Sequence, residues 1–457
     1  MVIFSNVLEH VSFPKIWIQK FSRLIAKDGF LFIEIPNEAP RVLHNGGHDP
    51  HHICFYSTDT FKNLVEVQGS FTVLDLRTCG PKIEDVIAEK TFHDFDTGKK
   101  TFFDFNSKSM KPQVLKDKSL NLITEKAKGN LVKNGWSASL VDIGDGVLCC
   151  EFHSILQSTL NPIDGSMIQT LVDGLDLVEA GKFKAMVVGH QGINFCAGAN
   201  LNGIIQYCES NDYETIGART KILQDVTQRM RFFESPIVTA PFHLALGGGF
   251  ELVAPASHRI ALGELYIGAV EVGVGLIPGA GGNLRILLNL MENSNSSGRM
   301  NAFQVVQKAF ETVGFAKVAT SAEEAKHLGY LLKSDTIILN NDHRIWAAKQ
   351  KALELIEGYK PPKYRDDLKL PGAGGRTAIA TVVKGLKAQG KISAHDEVIA
   401  NKLAYVLTGG EKAGLTKSVD EQYLLDIERE AFVSLAGEKL SQDRIRFMLK
   451  KGKPLRN

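Results

Sequence analysis

The sequence predicts an α/β chain in which short apolar strands deliver small-residue turns and a mainly helical segment closes the C-terminal end. Three observations carry this. Apolar runs of strand length recur, among them Phe30-Leu-Phe-Ile-Glu-Ile35, Ala185-Met-Val-Val-Gly189 and Pro236-Ile-Val-Thr-Ala-Pro241. Stretches with apolar residues three and four apart lie between them. After Gly282 the strand-like runs give way to helical spacing. With 457 residues there is room for two or three domains, and 44% hydrophobic and 23% charged residues are ordinary globular values. A net charge of +2 gives no case for nucleic acid or an anionic membrane surface. The six cysteines (Cys54, Cys79, Cys149, Cys150, Cys196, Cys208) lack zinc-like or secretory spacing, so free thiols in a reducing cytoplasm are expected. No apolar run reaches membrane-spanning length, and no signal peptide is expected at the N-terminus.

Residues 1–80 alternate strands and helices. Val2-Ile-Phe4 reads as a strand. Lys15 to Lys27 places Trp17, Phe21, Leu24 and Ile25 at helical spacing and stops at Asp28-Gly29. Phe30 to Ile35 reads as a buried strand ended by Pro36, followed by a helix around Thr58 to Gln68 and a strand over Phe71 to Leu76. Asn6-Val-Leu-Glu-His-Val11, Leu24-Ile-Ala-Lys-Asp-Gly-Phe-Leu-Phe-Ile-Glu-Ile-Pro-Asn37 and His52-Ile-Cys-Phe-Tyr-Ser-Thr-Asp-Thr-Phe61 resemble the second half of a Class I S-adenosylmethionine-dependent methyltransferase. That resemblance implies a partial Rossmann-like half-domain. The family's glycine-rich cofactor turn would precede Met1, so no cofactor binding is expected of it. The cluster His44-Asn-Gly-Gly-His-Asp-Pro-His-His52 invites a metal reading, but its glycine and proline content reads as a loop and no metal is expected. Residues 81–136 are polar and read as a connector. Phe102-Phe-Asp-Phe105 is similar to the tail of a 3-hydroxyacyl-CoA dehydrogenase domain. A Gly-x-Gly-x-x-Gly turn occurs nowhere in the sequence, and Gly372-Ala-Gly-Gly375, after Pro371, reads as a loop.

A complete domain is expected over 137–361. Leu140-Val-Asp-Ile143 and Val147-Leu-Cys-Cys-Glu-Phe152 flank Asp145-Gly146, a hairpin signal. Asn161-Pro-Ile163 leads into a helix with Met167, Leu171, Leu175 and Val178 on one face. A long helix after Asn200 is expected to bury Ile222, Val226, Met230 and Phe233. Ser321-Ala-Glu-Glu324 reads as a capping box, with Gly329 closing that helix. Asp342 to Gly358 is a further helix. Residues 362–457 form a helical extension, including Val419 to Ala436 with Leu424, Ile427, Ala431 and Leu435 aligned.

The chemistry concentrates between Asn194 and Gly282. Leu246-Gly-Gly-Gly-Phe-Glu251 follows an apolar run, and three adjacent glycines mark a tight turn or a close approach of backbone to ligand. A helix starting there would aim free N–H groups at whatever lies above the turn. Upstream lies a second small-residue loop, Phe195-Cys-Ala-Gly-Ala-Asn-Leu201. Twenty residues past Glu251 comes Glu271, within Tyr266-Ile-Gly-Ala-Val-Glu-Val-Gly-Val-Gly-Leu-Ile-Pro-Gly-Ala-Gly-Gly282. A glycine triplet alone is a turn, and two glutamates alone are solvated surface. Two backbone loops beside two carboxylates are the parts needed to bind a carbonyl oxygen and move protons next to it.

In this order and spacing, these motifs resemble the enoyl-CoA hydratase/isomerase (crotonase) family, over about Ser137 to Pro361. They are most similar to the hydratase part of bacterial 3-hydroxyacyl-CoA dehydrogenase/enoyl-CoA hydratase proteins, which the basic C-terminal stretch from Asp443 also resembles. The resemblance implies a crotonase-like ββα superhelix and a lyase that hydrates trans-2-enoyl-CoA thioesters in fatty-acid β-oxidation. Residue by residue, it implies Glu251 and Glu271 as catalytic carboxylates and the N–H groups of Ala199 and Gly248 as the oxyanion hole. Ala197, Gly198, Asn200, Gly247, Gly275 and Pro278 are the implied substrate-binding positions. No cofactor is required beyond the coenzyme A of the substrate. A homo-oligomer is expected, with a separate hydroxyacyl-CoA dehydrogenase or thiolase as a possible partner. Isomerases of the family commonly keep only the second glutamate, so the pair favours hydratase. Asn200, Ser257-His258 and Pro255 depart from the usual pattern. Other readings are an isomerase, a dehydrogenase/hydratase relative lacking its NAD domain, and a non-catalytic fusion acting as an interaction module.

Overall fold

In the computed structural model the chain divides into two units, Met1–Asp117 and Lys118–Asn457. The described residues of the first are β1 (Val2–Ser5) and β2 (Leu31–Glu34), which pair in parallel with Val2 opposite Leu31 and Ser5 opposite Glu34. Both fall where strands were expected. Two helices (Lys15 to Lys27, Thr58 to Gln68), the strand Phe71 to Leu76, the histidine cluster and the connector as far as residue 118 lie outside the described residues. In the second unit residues 119–457 are described, apart from 156, 296–299 and 415.

The second unit is built on a seven-stranded sheet. In chain order it contains α1 (Leu122–Ala127), β3 (Leu131–Asn134), β4 (Ala138–Asp142), β5 (Val147–Phe152), α2 (Gly165–Glu179) and β6 (Ala185–Val188). Then follow α3 (Leu201–Glu209), α4 (Tyr213–Arg231), β7 (Ile237–Thr239), β8 (His243–Leu246), α5 (Gly248–Val253), β9 (His258–Leu262) and β10 (Leu265–Gly268). The sheet order is β11-β9-β7-β6-β5-β4-β3, where β11 is Thr336–Ile338. β3, β4 and β5 are antiparallel and the other pairings are parallel. Period-two alternation splits the strands between two cores. Leu140, Leu148, Cys150, Met186 and Val188 face the larger one, while Val141, Cys149, Val147, Ala185 and Val187 face a smaller one shared with Ile345, Ala348 and Ala352. β8 and β10 leave this sheet and pair with each other in parallel. The stretch 119–134, read from sequence as the end of a polar connector, belongs to this unit. Its strand β3 is exposed along its length, so an edge strand reads as polar linker.

After Gly282 come α6 (Gly282–Asn295), α7 (Ala302–Gly314), α8 (Ala322–Leu328), α9 (Arg344–Ile356), α10 (Gly372–Ala388), α11 (Ala394–Leu407), α12 (Glu421–Ala436) and α13 (Lys439–Lys451), with a short pair β12 (Leu368–Lys369) and β13 (Ser418–Val419). Met167, Leu171, Leu175 and Val178 are buried on α2 as expected. α4 differs: Val226, Met230 and Phe233 are buried, but Ile222 is 54% exposed. The buried face carries Gln224 and Thr227 instead, whose side chains are satisfied by the carbonyls of Gly279, Leu425 and Ala280. Gly372-Ala-Gly-Gly375 is the first turn of α10 rather than a loop. Only glycine fits there, because a Cβ on Gly372 would lie 2.3 Å from the Ala413 oxygen and one on Gly375 2.6 Å from Pro371. Ser321 caps α8 by accepting from the Glu324 N–H, while the Glu324 carboxylate turns back to Thr320. Gly329 ends that helix in the left-handed region. No helix among the described residues is long and apolar enough to cross a membrane.

Candidate active site

Two chain segments cross at the glycine triplet. Cys196 donates its N–H to Leu244 and accepts from the Leu246 N–H, tying the 195–199 loop to β8. Gly247 donates to the Gly268 carbonyl at 2.7 Å and adopts φ 55°, ψ −124°, a conformation that favours glycine. Gly249 lies against the Cys196 carbonyl: a Cβ there would meet that oxygen at 2.3 Å. Gly249→Ala should therefore force the two loops apart and lower stability in urea unfolding by ~1–3 kcal/mol.

The N–H groups of Ala199 and Gly248 have no hydrogen-bond acceptor among the described residues. They are neighbours, since a Cβ built on Gly248 would sit 3.5 Å from the Ala199 nitrogen. That same point is 3.8 Å from Glu251 Oε2 and 2.7 Å from Ile163 Cδ1, and a Cβ on Gly247 would be 2.9 Å from Glu271 Oε1. Both carboxylates and both free N–H groups thus border the Gly247-Gly248 peptide.

The two carboxylates have different surroundings. Glu251, on the first turn of α5, is buried and its Oε1 accepts from the N–H groups of Ala280 (2.7 Å) and Gly282 (2.9 Å). Burial pushes its proton affinity up to about 7, and those donors hold it from rising further. Glu271 begins a 3₁₀ turn, Glu271–Val274. Its Oε2 is buried without a hydrogen-bond partner among the described residues. Burial first, and then the Glu251 and Glu428 carboxylates, hold Glu271 well above the usual carboxylate range. The arrangement sets a more acidic carboxyl opposite a less acidic one, the pattern of a base and an acid working together.

The other expected positions divide. Ala197 donates to the Leu160 carbonyl, Gly198 has φ 99° and abuts Leu246, and Asn200 caps α3 by accepting from the Asn202 N–H. Gly275 and Pro278 are buried and turn toward other partners. The Gly275 carbonyl accepts from Ser441 Oγ at 2.6 Å, and the Pro278 carbonyl accepts from Asn283 Nδ2. Ser257 accepts from the Ile237 N–H and meets the Tyr359 hydroxyl, so this departure from the usual pattern serves packing.

Two neighbours were not singled out from the sequence. Tyr330 accepts from the Ala269 N–H and donates to the Lys317 carbonyl, fixing the approach to Glu271. Glu428, on α12, is 1% exposed and accepts from Gly281 and Asn283. A signal for it exists. Glu428 lies on the buried face of α12, in line with Leu424, Leu425, Ala431, Phe432 and Leu435, where a surface glutamate has no place.

A crossover of two backbone loops on an α/β sheet, with a carboxylate pair beside free N–H groups, defines a crotonase-like protein. The comparisons agree: the chain matches enoyl-CoA hydratase/isomerase over residues 156–384 and belongs to that family. Residues 1–75 match a methyltransferase domain. A probable 3-hydroxyacyl-CoA dehydrogenase of Bacillus subtilis (strain 168) is 41% identical over 364 residues, covering 79% of this chain and 43% of that protein. This chain therefore spans less than half the length of that relative. A probable enoyl-CoA hydratase of the same organism is 25% identical over 218 residues, covering 46% of this chain and 79% of its own. The crystal structure of a carnitinyl-CoA dehydratase from Mycobacterium thermoresistibile shares the fold, with a TM-score of 0.50 at 14% identity over 68% of this chain and 89% of that one.

Proposed function

We propose that the second unit is an enoyl-CoA hydratase acting on trans-2-enoyl-CoA thioesters, in a cytoplasmic fatty-acid β-oxidation. The observation that carries this is the pair of unlike carboxylates bordering the Gly247-Gly248 peptide beside two unpaired N–H groups. Glu251, as carboxylate, takes a proton from water as its oxygen bonds to C3. The C2–C3 π electrons move onto the thioester oxygen, where the Ala199 and Gly248 N–H groups receive the negative charge. Each such donor is worth about 3–4 kcal/mol in the transition state. Glu271, as carboxylic acid, delivers its proton to C2 as the carbonyl re-forms. No cofactor enters beyond the coenzyme A that the substrate carries. The 3-hydroxyacyl-CoA product suits a separate hydroxyacyl-CoA dehydrogenase, and a homo-oligomer is part of the same proposal. The presence of both carboxylates favours hydration over isomerisation, which needs a single proton shuttle.

Hydration of crotonyl-CoA, followed by loss of ultraviolet absorbance across pH, tests this reading. Glu251 must be ionised and Glu271 protonated. Thus kcat/KM should fall as pH drops through about 7 and fall again at higher pH as Glu271 loses its proton. Isomerisation of a 3-enoyl-CoA without hydration of the 2-enoyl isomer would favour the isomerase reading instead. No turnover of crotonyl-CoA or a longer 2-enoyl-CoA by the folded protein would end the hydratase reading.

A further inference from the structure

Residues 280–283, which lead into the first turn of α6, present four successive backbone N–H groups that alternate between two carboxylates. Ala280 and Gly282 donate to Glu251, at 2.7 and 2.9 Å. Gly281 and Asn283 donate to Glu428, at 2.6 and 3.0 Å. Asn283 Nδ2 adds a bond to Glu428 Oε2 at 2.9 Å, and Gln224 Nε2 approaches Oε1 at 3.5 Å. Every one of these partners is a donor and favours the carboxylate form, against burial and the Glu251 charge, which push Glu428 up to about 8. Glu428 stands 145 or more positions from the loop it grips and belongs to the C-terminal extension.

Resting on the hydratase reading, we propose that Glu428 is a positioning residue for the catalytic pair: it grips, from the far side, the 280–283 loop that orients Glu251. A peptide held from both sides cannot rotate its Ala280 and Gly282 N–H groups away from Glu251, so the base keeps its direction toward the reacting water. The charge acts through a water-poor interior, where like charges repel strongly. Once ionised, Glu428 holds up Glu271 on the 3₁₀ turn, while Glu251 on α5 holds up Glu428 itself. Arg285 on α6 feels both Glu428 and Glu421, and from α4 the facing group is neutral Gln224, whose oxygen accepts from Arg429 of α12. Tyr330 faces Glu271 and stays protonated, its acidity weakened mainly by burial.

The test compares full-length wild type with Glu428→Gln, which keeps the size and removes the charge. In crotonyl-CoA hydration, kcat should fall by about 10–100-fold with KM little changed, the cost of a slightly misdirected base. The alkaline limb of the pH profile should move to lower pH by roughly 0.5–1 unit, because Glu271 loses a repelling neighbour, while the acid limb set by Glu251 stays in place. An infrared titration of the buried carboxyl absorption, assigned with Glu251→Gln and Glu271→Gln, should show the same displacement without any substrate. Folded Glu428→Gln with a wild-type alkaline limb and infrared titration would overturn the proposal, even if its turnover or melting temperature fell. If Glu428→Gln does not fold, Asn283→Ala decides: it loosens the grip on Glu428 and keeps its charge. A drop in kcat at constant KM is expected, and an unchanged kcat overturns the proposal. A wild type silent on every enoyl-CoA would defeat the hydratase reading alone, since the infrared comparison would still decide what Glu428 does.

Discussion

Glu271→Gln should lose crotonyl-CoA hydration by about 10²–10⁴-fold, the usual worth of a positioned acid or base. The amide has the shape of the protonated carboxyl but no proton to give to C2. The same substitution should stabilise the protein at neutral and alkaline pH. Glu271 has a raised folded-state proton affinity, so above the unfolded carboxylate value the native state holds a proton that the unfolded chain has released. Stability therefore declines as pH rises from about 4.5 toward the folded value, and Gln removes that decline. Thermal melts at pH 4 and pH 8 check it: the mutant should match wild type at the first and melt higher at the second. Equal turnover of the two proteins would remove Glu271 from proton transfer.

Ending the chain after Pro361 should abolish soluble expression of the second unit. The lost segment contributes Leu403, Leu407, Leu424, Leu425, Ile427, Phe432, Leu435 and Ile445 to the same core as α2, α4 and α6. At ~1.5–3 kcal/mol for each large side chain, their loss is comparable to or larger than the ~5–15 kcal/mol that holds an ordinary domain together. It also strips Glu428 from the 280–283 loop and Ser441 from the Gly275 carbonyl. Recovery of a soluble, cooperatively melting protein would show that the extension is a separable appendage. The sequence resemblance ends near Pro361 and suggests such a boundary, but the core crosses it.

Much of the site was legible because its signals are local. Three adjacent glycines, a second small-residue loop and two glutamates twenty apart need no knowledge of the distant chain, and the structure draws all four functional groups around Gly247-Gly248. The α2 stripe was legible for the same reason, since a helix whose partners are all apolar shows its buried face in its spacing. Where partners are polar, the pattern misleads. Gln224 and Thr227 look like surface residues on α4, yet they are buried because carbonyls of the 279–280 loop and α12 receive them. Gly372-Ala-Gly-Gly375 carries loop composition, yet close packing on Ala413 and Pro371 demands those glycines at a helix start.

By itself the sequence determined the α/β class, the two backbone turns, the carboxylate pair and the apolar faces of the longer helices, all of which depend on neighbours within a few turns of chain. Only the tertiary structure decided that β3 completes the sheet, that Ile222 faces outward, and that Gly275 answers to Ser441. It alone placed Glu428 behind the loop that aims Glu251. A hydrogen bond across 145 residues is set by how helices pack, and a glutamate's neighbours, rather than its own chemistry, decide whether it is solvated surface or a buried acceptor.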